Sequence, residues 1–132
     1  MLRYLILAIL AVGTYAQAPC SCSAMVTAET GELILYEMPP VDLQDCNADN
    51  ECRKLCSDEF DVQTNGGDLN SISSDGTTSV GQSFCNTAQG NIIDTKFVYA
   101  YYNLCNTNWQ YTNDQSIQPL CCEHNGNYYE CP

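Results

Sequence analysis

Cysteine is the residue type with the clearest chemistry in this chain. The 132 residues include ten cysteines, namely Cys20, Cys22, Cys46, Cys52, Cys56, Cys85, Cys105, Cys121, Cys122 and Cys131. No two C-x-x-C pairs face each other across a short loop, and His124 is the only imidazole, so zinc ligand sets are not supplied. In a short secreted chain, thiols at this density pair as disulfides. We predict five intramolecular bridges, whose pairing the sequence leaves open.

An acidic cluster offers a second chemistry. Asp58, Glu59 and Asp61 fall at the end of a predicted helix, where negative charge is unfavourable with the helix dipole. A cluster of this kind is enough for weak extracellular calcium binding, although solvated surface charge explains it equally well. These three residues are therefore the candidates for binding calcium or a mineral surface.

The remaining residues do not favour an enzyme. Asp45, Asn47 and Asp49 repeat the first ligands of a calcium loop, but the glycine and final glutamate of an EF-hand are missing. His124 lies beside a predicted tight turn, and the chain has no Gly-x-Ser-x-Gly motif. We predict no catalytic residue, no cofactor and no enzymatic activity.

The net charge excludes several classes of partner. Sixteen Asp and Glu oppose four Lys and Arg, which gives a formal charge of -12. A chain this acidic, with no basic stripe, repels phosphate backbones and anionic lipids. We expect no nucleic-acid or membrane partner, and instead partners in an extracellular matrix or among secreted proteins.

The first sixteen residues have the pattern of a secretory signal peptide. Arg3 precedes an apolar run at 4–12, and small residues lead to a cleavage site after Ala16. The run is much shorter than the roughly 20 residues that a membrane span needs. We predict a secreted, extracellular protein with one mature domain at 17–132. Without Arg3, sixteen acids and three Lys and Arg give it a charge of -13.

Periodicity predicts a small, disulfide-rich, mainly β fold with one short α-helix at about 48–59. Cys52, Leu55, Cys56 and Phe60 fall on one face of that helix, with Asn47 or Asp49 available to cap it. Cys52 and Cys56 can then attach the helix to two different strands.

Strand-favouring residues surround this helix. They run over 32–38, where a Pro-Pro pair should end the strand, and over 92–105, which should be the central strand, with a helix as the competing interpretation. The polar segment 61–83 is predicted to be a flexible loop. We interpret it as an insertion that the fold tolerates, with a functional loop as the alternative.

The C-terminus predicts a β-hairpin. Asn125-Gly126 fits a two-residue type I′ turn, which would place Cys122 opposite Tyr129. In that register Cys131 faces neither neighbouring cysteine, so its partner is expected elsewhere. Adjacent Cys121 and Cys122 project to opposite faces and should form two separate bridges.

The cysteine pattern at the two ends of the chain carries a family resemblance. Its residues are Cys20-x-Cys22, Cys105, Asn106-Thr107-Asn108-Trp109, Cys121-Cys122, Gly126, Tyr129 and Cys131. This pattern resembles the small secreted follicle-cell proteins associated with insect eggshell. The last cysteine interval is one residue longer here, Trp109 follows the Asn-Thr-Asn run rather than preceding it, and 61–83 has no counterpart.

The resemblance implies a secreted structural role and carries over no catalytic residue. We therefore predict a non-enzymatic structural component of an extracellular matrix, of the egg-coat, shell or cuticle type. The first alternative is a soluble secreted effector, a toxin-like or inhibitor module that binds a protein target through 61–83. The second is weak binding of calcium or mineral through the acidic residues.

Overall fold

A computed structural model describes residues 17–132, so the predicted signal peptide lies outside the described residues. The elements in chain order are β1 (Ala18–Ala28), β2 (Gly31–Leu43), α1 (Asp49–Thr64), α2 (Val80–Ala88), β3 (Ile93–Lys96), β4 (Tyr99–Leu104), β5 (Gln110–Gln115) and β6 (Leu120–Cys122). The fold is small, mainly β and disulfide-rich, as the sequence predicts. Residues 17–132 contain two helices rather than the one predicted.

The main sheet has four antiparallel strands in the order β2-β1-β4-β5. β1 lies inside this sheet, between β2 and β4, and its residues Cys20, Cys22, Ala24 and Val26 form one buried face. Opposite them, β4 contributes Ala100, Tyr102 and Leu104. Both helices and the two-stranded β3-β6 sheet lie on this inward side, where the buried residues form the core.

The predicted central strand at 92–105 is divided in two. β3 pairs with β6, whereas β4 pairs with β1 and β5 in the main sheet. Of these two strands, only β4 belongs to the main sheet, where it is an interior strand, so the prediction holds for the second half of the segment.

β2 does not end at Pro39 and Pro40, as predicted, but continues to Leu43. Its register on β1 shifts at this point, because two steps along β1, from Cys20 to Cys22, match three steps along β2. β2 is an edge strand, and at an edge or a bulge a proline need not donate a ladder hydrogen bond. The strand therefore passes through both prolines.

Helix α1 starts close to the predicted position and ends five residues later than predicted. Neither Asn47 nor Asp49 caps it, because the N-cap residue is Ala48, which has no side-chain oxygen. The helix ends at Asn65, which adopts a left-handed conformation with φ 51°, and the amide of Gly66 donates to the carbonyl of Asp61 at 2.9 Å. This bond satisfies a free carbonyl at the helix end.

The predicted loop at 61–83 contains the last turn of α1 and the first residues of α2. Between the helices the chain is anchored by Leu69, which is fully buried and whose carbonyl accepts from Gly81 at 2.8 Å. The start of α2 had a sequence signal that we missed: Ser79 and Gln82 have capping-box spacing, and the Ser79 hydroxyl accepts from the Gln82 amide at 3.0 Å.

The C-terminal hairpin exists, but its register differs by one residue from the predicted one. Cys122 pairs with Tyr128 instead of Tyr129, and the amide of Glu123 donates to the carbonyl of Asn127 at 2.9 Å. The loop between these two residues therefore has three residues, 124–126. Gly126 has a positive φ of 90°, whereas Asn125 does not. A type I′ turn needs positive φ at both positions, so the predicted turn is wrong.

Candidate functional site

Two disulfides attach α1 to β1 on the inward side of the main sheet. Cys20 bonds to Cys52 and Cys22 bonds to Cys56, with Cα–Cα distances of 5.6 and 5.1 Å. Two residues along a strand advance about 6.7 Å, and four residues along a helix advance about 6 Å. The two spacings are similar, and because the earlier cysteine of the strand bonds to the earlier cysteine of the helix, the two elements run in the same direction. We call these two bridges the disulfide ladder.

The ladder corrects the prediction that Cys52 and Cys56 reach two different strands. Both bond to β1, because alternate residues of one strand share a face in the same way as residues one turn apart on a helix. Polar contacts extend the attachment across the sheet: Arg53 Nε donates to the carbonyl of Thr112 at 3.1 Å, and the Ser57 hydroxyl donates to Asp114.

The other three bridges involve the remaining cysteines. They are Cys46–Cys105, Cys85–Cys122 and Cys121–Cys131. Adjacent Cys121 and Cys122 form separate bridges, as predicted, but the partner of Cys131 is Cys121 and not a distant residue. The corrected register explains this, because the amide of Tyr129 bonds to the carbonyl of Cys121 at 3.1 Å and brings the following residues close to β6.

All ten cysteines are therefore disulfide-bonded, and none is a free thiol. Within residues 17–132, the one group of potential metal ligands that lies close together is Cys20, Cys22 and Cys56. A metal ligand must be a thiolate, and these sulfurs are already bonded. The arrangement therefore has no cysteine for metal binding or catalysis in the oxidised protein.

The predicted cation candidates lie on the last turns of α1. Asp58 accepts from Lys54 Nζ at 2.7 Å, an exposed contact that raises the pKa of the lysine. Glu59 accepts from Gln63 at 2.9 Å, and the carbonyl of Asp61 takes part in the helix-end bond. The three carboxylates do not form a close ligand group in this structure.

His124 is exposed on the hairpin turn, and no side-chain hydrogen bond to its ring occurs within the described part of the chain. Asp45 and Asp49 have local roles instead of a shared one. Asp45 accepts from the backbone amide of Asn47 at 2.8 Å, and Asp49 accepts from the Tyr102 hydroxyl at 3.0 Å. The geometry thus brings none of these residues into a catalytic arrangement.

A cleft of about 280 Å³ opens between β2, α2 and the segment before α2. Its apolar side includes Tyr36 and Phe84, whose stacked rings lie 6.4 Å apart, and its rim includes Asp75. Backbone amides of Thr78 and Thr77 bond to Asp75 and hold the pKa of its carboxyl well below the usual range. The Tyr36 hydroxyl is buried without a partner, and burial, with Glu59 nearby, raises its pKa.

Within residues 17–132, neither helix packs on the outward side of the main sheet. We call this side the open face; it consists of the residues that alternate with the buried ones on the four strands. Its aromatic part is formed by Tyr99 and Tyr101 of β4 and Tyr111 of β5. The ring of Tyr111 lies 5.5 Å from Tyr99, nearly perpendicular to it, and 6.1 Å from Tyr101, tilted by 54°.

The other side of the open face is apolar and acidic. Ile34 of β2 lies opposite Met25 of β1, and Glu37 lies opposite Ser23. Glu32, further along β2, accepts from the Thr27 hydroxyl at 2.5 Å. Met25 and Ser23 are buried beneath these neighbours although they point outward. Sequence reasoning could not identify this face, because nothing in the composition of β1 or of the polar strand β5 shows which strands are neighbours in the sheet.

Among residues 17–132, no helix is long and apolar enough to cross a membrane. Comparison with protein-family models, with curated proteins and with solved structures finds no match to this chain.

Proposed function

We propose that this chain is a secreted, non-enzymatic structural component of an extracellular matrix, of the egg-coat, shell or cuticle type. The observation that carries the proposal is that all ten cysteines are consumed in five bridges within one small chain. Such bridges persist in oxidising, extracellular compartments. They stabilise a small domain that remains folded outside the cell, and they leave no reactive thiol.

The same bridges constrain how the protein joins a matrix. Because every cysteine is used internally, association with other matrix components is non-covalent with respect to sulfur. The open face and the exposed acidic surface are then the parts available for contact. The absence of clustered catalytic groups in the described residues is compatible with a binding role.

Sequential extraction of the matrix made by the secreting tissue tests this proposal. We expect the protein to stay in the insoluble fraction in dilute buffer and to be released by urea without a reducing agent. A Cys131→Ser variant, expressed in the same tissue, leaves Cys121 unpaired and serves as the matched control. It should form intermolecular disulfides and require a reductant for part of its release.

Recovery of the wild-type protein mainly in the freely soluble secreted fraction would reject the matrix role and favour the soluble effector. Release of the wild-type protein only by a reductant would contradict the internal closure of its disulfides.

A further inference from the structure

We propose that the open face binds arginine- and lysine-bearing segments of a cationic partner polypeptide. This inference names the partner class for the binding role proposed above and rests on it. The observation behind it is the placement of three tyrosine rings and two carboxylates on one uncovered sheet face with no positive charge among them.

The arrangement of the rings favours a cation over a flat ligand. Tyr111 is nearly perpendicular to Tyr99 and tilted against Tyr101, with centroid distances of 5.5 and 6.1 Å. The rings contact one another at these distances, so they present ring faces and edges at different angles rather than one level platform. The negative faces of tyrosine rings attract guanidinium and ammonium groups, and the attraction increases as water is removed.

Carboxylates supply the complementary charge. Glu32 lies close enough that its charge, after burial, contributes to raising the pKa of the Tyr101 hydroxyl. Glu37 lies opposite Ser23, the neighbour of Tyr101 across the sheet. A bound arginine could thus contact a ring and a carboxylate together, which is the combination that guanidinium groups favour.

Among residues 17–132, no internal cation forms an ion pair with Glu32 or Glu37. None of the four strands of the main sheet contains Lys, Arg or His. Arg53 and Lys54 belong to α1 on the inward side of the sheet, where Lys54 bonds to Asp58, and Lys96 belongs to β3, which pairs with β6 outside the main sheet. A positive charge from another molecule can therefore pair with these carboxylates.

Charge also argues against a second copy of this chain as the occupant. Residues 17–132 have sixteen acidic residues against three Lys and Arg, a net charge of -13. Two open faces brought together would bring Glu32 and Glu37 of both copies, four carboxylates, into one interface. Like charges across an interface are unfavourable, whereas a basic segment is drawn to the face at long range.

Binding of a synthetic peptide tests the inference directly. The probe is a short fluorescent peptide of alternating glycine and arginine, and its control has citrulline in place of each arginine. We expect anisotropy to report binding of the arginine peptide to the oxidised protein, weakening with added salt. We expect no binding of the citrulline peptide, which keeps the shape but lacks the charge.

Variants locate the binding. Tyr111→Leu and Tyr101→Leu should each weaken binding about fivefold, the equivalent of one cation–π contact at a surface site. Tyr111→Phe, which keeps the ring, should bind as the wild type does. Tyr129→Leu is the matched control, because Tyr129 is 37% exposed, against 39% for Tyr111, and lies outside the sheet.

A charge pair separates a specific site from diffuse attraction. Glu32→Gln should weaken binding more than Glu123→Gln, which removes the same charge from the hairpin turn. Far-ultraviolet circular dichroism and disulfide mapping confirm that each variant keeps the fold. Equal effects of the two glutamine variants, together with no effect of either leucine variant on the open face, would overturn the inference.

The oligomeric state completes the test. Sedimentation should show a monomer at the concentrations used for binding, and a dimer abolished by Tyr111→Leu would overturn the inference in favour of a second copy. A failure of this inference is distinguishable from a failure of the proposed matrix role. Insolubility in the matrix without peptide binding refutes the partner class alone, and peptide binding by a freely soluble protein refutes the matrix role alone.

Discussion

Removing one rung of the disulfide ladder should cost less than half of what removing both costs. The perturbation replaces Cys22 and Cys56 with alanine, Cys20 and Cys52 with alanine, or all four. When one rung is already closed, the second closes a ring made only of residues 20–22 and 52–56. When neither is closed, the first rung closes a loop with a sequence separation of 32.

Loop-closure entropy gives the magnitudes. A ring of about eight residues is worth about 2.5 kcal/mol of unfolding free energy, and a loop of about 32 residues about 3.7 kcal/mol. Either single-rung deletion should therefore cost about 2.5 kcal/mol, and the double deletion about 6.2 kcal/mol. The double deletion exceeds twice the single by about 1.2 kcal/mol, which is larger than the additivity error of about 0.3–0.5 kcal/mol.

The assay is urea unfolding of the oxidised variants, followed by circular dichroism, with the remaining bridges mapped by mass spectrometry. Loss of the buried sulfur atoms lowers stability as well. Each single deletion removes two of them and the double deletion removes all four, so this contribution largely cancels when the double deletion is compared with the sum of the two single deletions. Strictly additive single deletions would refute the reasoning, because the two rungs would then constrain the unfolded chain independently.

Three further outcomes follow from particular contacts. Tyr36→Phe should raise the free energy of unfolding by about 1 kcal/mol, because a buried unpaired hydroxyl costs about 1–3 kcal/mol; a loss in urea unfolding at neutral pH would show that the hydroxyl is bonded. The pKa of Asp75 is lowered by folding, so its contribution is present above the unfolded pKa of about 3.9 and is lost as pH falls toward the folded pKa. The stability difference between wild type and Asp75→Asn should accordingly shrink between about pH 5 and pH 2.5 in urea unfolding, and an unchanged difference would contradict the assignment. Gly67→Ala should destabilise more than Gly66→Ala, since both have positive φ but only at Gly67 would the new Cβ lie 2.9 Å from a backbone oxygen, that of Gln115; equal thermal midpoints would remove the steric argument.

Much of the local structure could be read from the chain. The helical spacing of Cys52 and Cys56 located α1, and the Asn-Gly pair located the hairpin, because both patterns depend on residues that are near in sequence. The predictions were wrong where the outcome depended on which strands are neighbours in the sheet. Pro39 and Pro40 end a central strand, but β2 is an edge strand, and edge position is a property of the sheet and not of the segment.

The candidate site was beyond sequence reasoning for the same reason. Tyr99, Tyr101 and Tyr111 are visible as tyrosines, but β5 is polar and carried no strand signal, so nothing predicted that Tyr111 would lie between the other two. The number of acidic residues and the number of cysteines, in contrast, are properties of composition, so both could be read from the sequence without the structure.

The sequence by itself determined that ten cysteines would form a disulfide scaffold and that two of them would share one helix face. Only the tertiary structure decided which strand they meet. Cys20 and Cys22 fit Cys52 and Cys56 because the rise of two strand residues nearly equals the rise of four helix residues when the two elements run in parallel. That agreement places α1 on the inward side of the sheet, and the side left uncovered is the open face.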